Sequence, residues 1–202
     1  MRTKSDGISN ETRLIEAALR CIANNGISKT FVEDIAQEAG LSRPTAYRTF
    51  GTRKALLEGV AAHCANRMKD TMRKRLTRYK SFSDAVVLGS TEALDMARKD
   101  KVLILVFEAL GDSGLERYLL DPKGPVIGYT LNAWNDWFDD ARKSGELRPD
   151  VSNDELATLL TAGNVFFLLR TDFSKSEQIA FLRKFLLPSI LARPDLQQGQ
   201  SD

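Results

Sequence analysis

Apolar positions recur along this chain at steps of three and four, with no sustained alternation of period two, so the pattern predicts helices throughout. Leu14, Ile15, Ala18, Leu19 and Ile22 give one apolar face to a first helix from Ser9 to Asn25. Gly26 stops it in the left-handed region, with Ile27 folding back. Thr30-Phe31-Val32-Glu33 reads as a capping box, Thr30 at the cap and Glu33 answering it, and opens a second helix to about Ala39. A third helix, Arg43 to Phe50, takes Ser42 as its cap and holds Pro44 in its first turn, where a missing N–H costs no internal hydrogen bond. Gly51 ends it and Thr52 caps a fourth. Leu57, Val60, Ala61, Cys64, Met68, Met72 and Leu76 form one unbroken stripe, so the fourth helix runs from Arg53 to Tyr79 and joins the three short helices to the C-terminal body.

The remainder reads as five more helices: Ser83–Lys99 capped by Ser83, Lys101–Leu110, Val126–Lys143, Asn153–Arg170 and Ser176–Ala192. Gly111-Asp112-Ser113-Gly114 and Asp121-Pro122-Lys123-Gly124-Pro125 are the breaks, and Gly145 and Pro149 bound the turn before the last two helices. Leu131, Trp134, Phe138 and Ala141 share one face. The pattern shows no strand and no internal repeat, and the polar tail after Pro194 reads as disordered. The last two helices are apolar nearly all round, so two faces of each need cover. Either both sit centrally in a monomer core, or they form a homodimer interface of the four-helix kind, carried by Phe167, Leu168, Leu182, Phe185 and Leu186; the dimer is the reading adopted.

Charge changes the picture. The net charge of +2 hides an asymmetry: residues 1–80 hold sixteen Lys/Arg against eight Asp/Glu, and residues 81–202 thirteen against nineteen. A basic head on an acidic body suits a polyanion-binding protein. Seven of the cations fall in Arg67–Lys80, where a solvated helix face competes with a supplementary role in DNA binding. Two cysteines and one histidine exclude a disulfide framework and the usual zinc sets, and no metal or cofactor is expected. With a polar N-terminus and no apolar run of the ~18 residues a membrane span needs, a cytoplasmic protein is the expectation.

The chemistry concentrates in Thr30–Lys54. Ala36 is small enough for two helices to cross closely, Gly40 takes the positive φ of a tight turn, and Leu41 anchors that turn. The following helix carries Arg43, Thr45, Tyr47 and Arg48, which suit phosphates and base edges. This is the pattern of a helix-turn-helix that reads DNA.

Ile15–Ala18, Gly26, then Val32-x-x-Ile35-Ala36-x-x-Ala39-Gly40-Leu41-Ser42-x-x-Thr45-x-Tyr47-x-x-Phe50 and Ala55-Leu56-Leu57 resemble the tetracycline-repressor (TetR) family over about the first 60 residues. Beyond them the likeness rests on length, helical layout and the Gly145-Glu146-Leu147-Arg148-Pro149 turn. The resemblance implies an all-α protein of nine or so helices: a three-helix head (1–52), and a helical effector-binding and dimerisation domain (53–193) followed by the tail. It implies a homodimer that binds a palindromic operator in double-stranded DNA and leaves it when a small molecule binds. Carried over by position, Arg43, Pro44, Thr45 and Arg48 face the bases, Tyr47 meets a phosphate, Arg53 stands where a lysine is usual, and Thr30 is the capping residue near the backbone. Ala46, Thr49 and Gly51 depart from a larger aliphatic, a ring and a proline, which bears on the operator sequence rather than the fold.

Each signal has a plainer reading. Arg43 reads guanine or is a solvated surface arginine, and Tyr47 serves DNA, core or both. Gly111-Asp112-Ser113-Gly114 echoes the nucleophile loop of trypsin-like proteases, but the one histidine, His63, lies on a long helix, so the echo is accidental and no enzyme is expected. Adjacent His63 and Cys64 point in different directions on a helix; Cys64 joins the apolar stripe. For an effector cavity the candidates are His63, Met68, Phe107, Trp134, Asn164 and Phe166, each also readable as plain core, and their chemistry favours an apolar or aromatic ligand. The function expected is a ligand-released repressor; a same-fold regulator governed by a protein partner and a helical carrier of hydrophobic molecules are the alternatives.

Overall fold

The computed structural model describes residues 8–121 and 124–192. The expected disordered tail, and Pro122 and Lys123 of the second expected break, lie outside the described residues. Nine helices and no strand are found among the described residues. They are α1 (Asn10–Asn25), α2 (Val32–Glu38), α3 (Arg43–Phe50), α4 (Arg53–Leu76), α5 (residues 82–99), α6 (Lys101–Leu120), α7 (Pro125–Lys143), α8 (Asn153–Leu169) and α9 (residues 175–190). Both α5 and α9 contain a π-turn, at Ala85–Gly89 and Leu182–Leu186. α6 is broken at Gly111, whose φ of 68° is left-handed, and resumes at once, so the expected four-residue break is one residue wide.

The chain divides into two compact units, residues 1–64 with 100–115 and residues 65–99 with 116–202. In the first, α1 buries Leu14, Ile15, Ala17, Ala18, Cys21 and Ile22, α2 buries Val32, Ile35 and Ala36, and the start of α4 buries Leu56, Leu57, Val60 and Ala61. Ala46 is the buried residue of α3. The small side chains at 17, 18, 36 and 46 let these short helices approach closely, which suits a core with few large groups. Gly59 belongs to the same packing: a Cβ there would lie 2.9 Å from the Phe50 ring.

The second unit has a larger core. Met72, Leu76, Phe82, Val86, Trp134, Phe138, Leu156, Leu160, Phe167, Leu182 and Ile190 meet in one buried cluster. Trp134 stacks on Phe138 with ring centroids 6.1 Å apart, and Phe82 meets Phe138 edge-on at 6.3 Å. The turn after α7 is closed as a Schellman motif, Glu146 donating its N–H to Ala141 and Gly145 to Arg142, with Gly145 at φ 76°. It then pairs with the chain leaving α9, through Arg148 N–H to Ile190 and Ala192 N–H to Glu146. The Gly145–Pro149 turn therefore fastens the end of the last helix.

Capping differs from expectation in two places. The α2 cap is one residue later: Phe31 occupies the cap position, and Asp34 Oδ2 accepts its N–H at 3.0 Å. Thr30 instead donates its hydroxyl to Gly26 O at 2.7 Å and is 2% exposed. A phenylalanine has no acceptor to offer the helix, so only the reciprocal half of a capping box forms. At α5, Ser81 rather than Ser83 accepts the N–H of Asp84, at 3.1 Å. α4 ends at Leu76, three residues short of Tyr79, whose hydroxyl donates to Glu92 at 2.8 Å.

Candidate nucleic-acid interface

The turn between α2 and α3 is held from three sides. Leu41 donates its N–H to Ala36 O at 2.8 Å and Gly40 to Gln37 O at 2.9 Å, the paired bonds of a Schellman motif, with Gly40 at φ 63°. Arg13 reaches across from α1 and donates to Ala39 O at 2.6 Å and Gly40 O at 3.4 Å. Leu41 is half-buried beneath the turn. Nothing in the periodicity of α1 distinguishes Arg13 from other polar residues, and its role was not legible in the sequence.

α3 begins as expected. Ser42 Oγ accepts the N–H of Thr45 at 3.3 Å and lies 2.9 Å from the Thr45 hydroxyl, and Pro44 sits in the first turn. With Ala46 buried, the opposite face of the helix turns Arg43, Pro44, Tyr47, Arg48 and Thr49 outward, with Thr45 half-buried. Tyr47 is 39% exposed, enough to present its hydroxyl while part of its ring packs. Arg43 Nε lies 2.8 Å from Glu33 Oε1 of α2, and its guanidinium carbon 5.5 Å from the Tyr47 ring centroid. Arg48 donates to the Thr45 hydroxyl at 3.4 Å. Two arginines, a phenol and a threonine hydroxyl thus share one exposed face of a rigidly mounted helix, a set able to pair with phosphate oxygens and with base edges in a major groove.

The other two residues expected here are placed differently. Thr30 is enclosed, with its hydroxyl committed to Gly26. Arg53 donates to Ile27 O at 2.8 Å and Thr30 O at 3.5 Å, tying the start of α4 to the 3-10 turn Ile27–Lys29. Both brace the loop ahead of α2. Of the cations in Arg67–Lys80, Lys69 pairs with Asp70, Arg73 with Asp136, and Arg75 and Arg78 both with Glu92. These pairs commit four of the seven to carboxylates, as on a solvated helix face.

The residues expected at an effector cavity are scattered. His63 and Phe107 are half-buried in the first unit. In the second, Met68 and Asn164 are half-buried, Trp134 is 4% exposed in the ring cluster with Phe138, and Phe166 is 37% exposed in a different one. Phe166 stacks on Phe181 at 5.7 Å, Phe181 meets Phe185 at 4.8 Å, and Phe167 and Phe173 complete that set. An open groove of about 410 Å³ along α4 is lined by Asp70, Arg73, Lys74 and Thr77, none of them among those candidates. Of the five side chains expected at a partner face, Phe167, Leu182 and Leu186 are buried in their own protomer, Leu168 is half-buried, and Phe185 is 54% exposed. The apolar groups left open on α8 and α9 are Leu159, Phe166, Leu169 and Phe185.

Residues 14–60, the stretch that builds this head, match the model of the bacterial regulatory proteins of the tetR family. Over this stretch the chain is similar to the tetR family. It is 25% identical over 135 residues to the HTH-type transcriptional regulator AlkX of Mycobacterium tuberculosis, covering 66% of this chain and 58% of that protein. Against the HTH-type transcriptional regulator SrpR of Pseudomonas putida it is 26% identical over 115 residues, 56% of this chain and 54% of the relative. The chain thus spans little more than half the length of these curated relatives. Among solved structures, the TetR family repressor AlkX of Dietzia, described as implicated in biodegradation of n-alkanes, superposes with a TM-score of 0.62 at 21% identity, covering 90% of this chain and 95% of that one. That likeness carries the all-helical tetR fold across nearly the whole chain; no helix of the described residues is long and apolar enough to cross a membrane.

Proposed function

We propose that this protein is a homodimeric, DNA-binding transcriptional regulator that represses from a two-fold operator and is released by an apolar small molecule. The observation that carries the reading is the exposed face of α3, where Arg43, Thr45, Tyr47 and Arg48 stand on a turn locked by Gly40 and Arg13. Thr30 and Arg53 serve that face from behind, by fixing the loop from which α2 starts.

The dimer reading is supported by Leu159, Phe166, Leu169 and Phe185. Side chains of this size each gain roughly 1.5–3 kcal/mol on full burial; each is already partly covered, and their clustering on the last two helices favours pairing with a second copy. Two heads would then address half-sites about 34 Å apart. Phe166 belongs with this face rather than with a cavity. For the effector, the second unit offers the half-buried Met68 and Asn164, while Trp134 is packed in its core. A linear aliphatic chain is the class favoured, since AlkX of Dietzia is described as implicated in n-alkane biodegradation. Binding would act as a population shift, favouring a conformer whose heads no longer match the operator. The site of action is the cytoplasm.

A mobility-shift assay on the duplex flanking its own gene tests this, repeated with n-alkanes, fatty acids and aromatic compounds. The expected result is a complex of two protomers per duplex that a long-chain aliphatic compound dissociates. No retarded complex on that duplex, or a single protomer bound to it, would contradict the proposal.

A further inference from the structure

Arg43 pairs with a carboxylate of the preceding helix. Its Nε lies 2.8 Å from Glu33 Oε1, and the two side chains are 64% and 43% exposed. An ion pair so exposed adds little to stability, so its effect is on where the guanidinium sits. α2 carries three acids, and two are committed elsewhere: Asp34 accepts the N–H of Phe31, and Glu38 pairs with Arg20 of α1 at 2.7 Å. Glu33 is the one turned to the exposed face of α3. The Tyr47 ring, 5.5 Å from the guanidinium carbon, flanks the same arginine. Arg48, by contrast, has a neutral partner in the Thr45 hydroxyl.

The chemistry of this pairing is asymmetric. A guanidinium carries five N–H donors in a fixed fork. A carboxylate at Nε leaves the terminal nitrogens for a second planar acceptor, and guanine offers O6 and N7 in the matching geometry. The same carboxylate is repelled by phosphates, so a backbone contact by Arg43 would bring a negative charge close to another. Resting on the DNA-reading proposed above, we propose that Glu33 is a specificity-determining positioning residue: it presents Arg43 to a guanine and withholds it from the backbone, giving up general DNA affinity for sequence discrimination.

The test uses the full-length protein and a duplex library with a randomised core. Wild type and Glu33→Gln, which keeps the shape and removes the charge, each select sequences. Affinities are then measured by fluorescence anisotropy on the wild-type-selected duplex and on a scrambled duplex of the same composition. Wild type is expected to enrich a guanine that Arg43→Ala no longer enriches. Glu33→Gln is expected to bind the scrambled duplex more tightly and to lose roughly tenfold in the ratio of selected to scrambled affinity, within the range one bidentate arginine contact supplies. In an Arg43→Ala background the same change should leave that ratio unaltered, a result that a general loosening of the head would not give. Glu33→Ala repeats the comparison should the glutamine make a new contact of its own, and melting curves verify that both variants fold. An unchanged ratio and guanine preference in both Glu33 variants, or an equal loss with Arg43 absent, would overturn the proposal. A wild type that enriches no sequence would overturn the DNA-reading itself, a different signature.

Discussion

Gly40→Ala tests the turn that mounts α3. Gly40 lies at φ 63°, where a residue with a Cβ loses roughly 1–2 kcal/mol. The added Cβ would also sit 3.2 Å from Arg13 Nη2, the atom that donates to Ala39 O at 2.6 Å. The guanidinium must then move by a few tenths of an ångström. A hydrogen bond from a charged donor contributes about 1.5–3 kcal/mol, and at this partly exposed site water replaces a good share of it, so the displacement costs roughly 1 kcal/mol more. Gly40→Ala should therefore destabilise by about 2–3 kcal/mol with Arg13 present, and by only about 1–2 kcal/mol in an Arg13→Ala background. Urea denaturation followed by circular dichroism, at matched protomer concentration, reads all four corners of this cycle. A Gly40→Ala variant as stable as wild type, or a cost equal in the two backgrounds, would refute the geometry of the turn.

Other perturbations give distinct readouts. A Cβ on Gly89 would lie 2.7 Å from Leu76 Cδ2 and 3.0 Å from Trp134 Cη2, so Gly89→Ala should destabilise the second unit by about 1–3 kcal/mol and alter tryptophan fluorescence; an unperturbed melting curve would contradict the packing. Phe185→Glu with Leu169→Glu should yield a helical monomer in analytical ultracentrifugation, and a persistent dimer would place the interface elsewhere. Tyr79 is pushed up to about 12 by burial, by its hydrogen bond to Glu92 and by that carboxylate's charge. Folding favours its neutral phenol, so this stabilisation is complete below the unfolded value near 10 and is lost as pH climbs from there toward 12. The urea midpoint of wild type should fall more steeply over that window than that of Tyr79→Phe, and parallel profiles would count against the contact.

The sequence revealed what is periodic or local. The apolar faces of α1 and α4, the Gly40 turn, the Ser42 cap and the exposed side of α3 all follow from spacing and residue type. The α2 cap slipped by one because Thr30-Phe31-Val32-Glu33-Asp34 holds two overlapping frames, and the buried bond from Thr30 to Gly26 decides between them. Arg13 carried no signal and Glu33 read as a capping residue, for a common reason: each acts on another helix, and a polar residue on an amphipathic helix has no period that names its partner. On α8 and α9 the difficulty was reversed. A helix apolar all round announces that two faces are covered but not which is which, so Phe167, Leu182 and Leu186 fell to the protomer core while Phe166 and Leu169 are open.

The central claim is that the outer face of α3 reads DNA, and anisotropy titration of Arg43→Ala and Arg48→Ala on a wild-type-selected duplex tests it most directly. Each substitution should weaken binding to that duplex by about tenfold or more, as loss of a base-edge arginine does, with dimerisation and melting unchanged. Wild-type affinity in both variants would contradict the assignment of this helix.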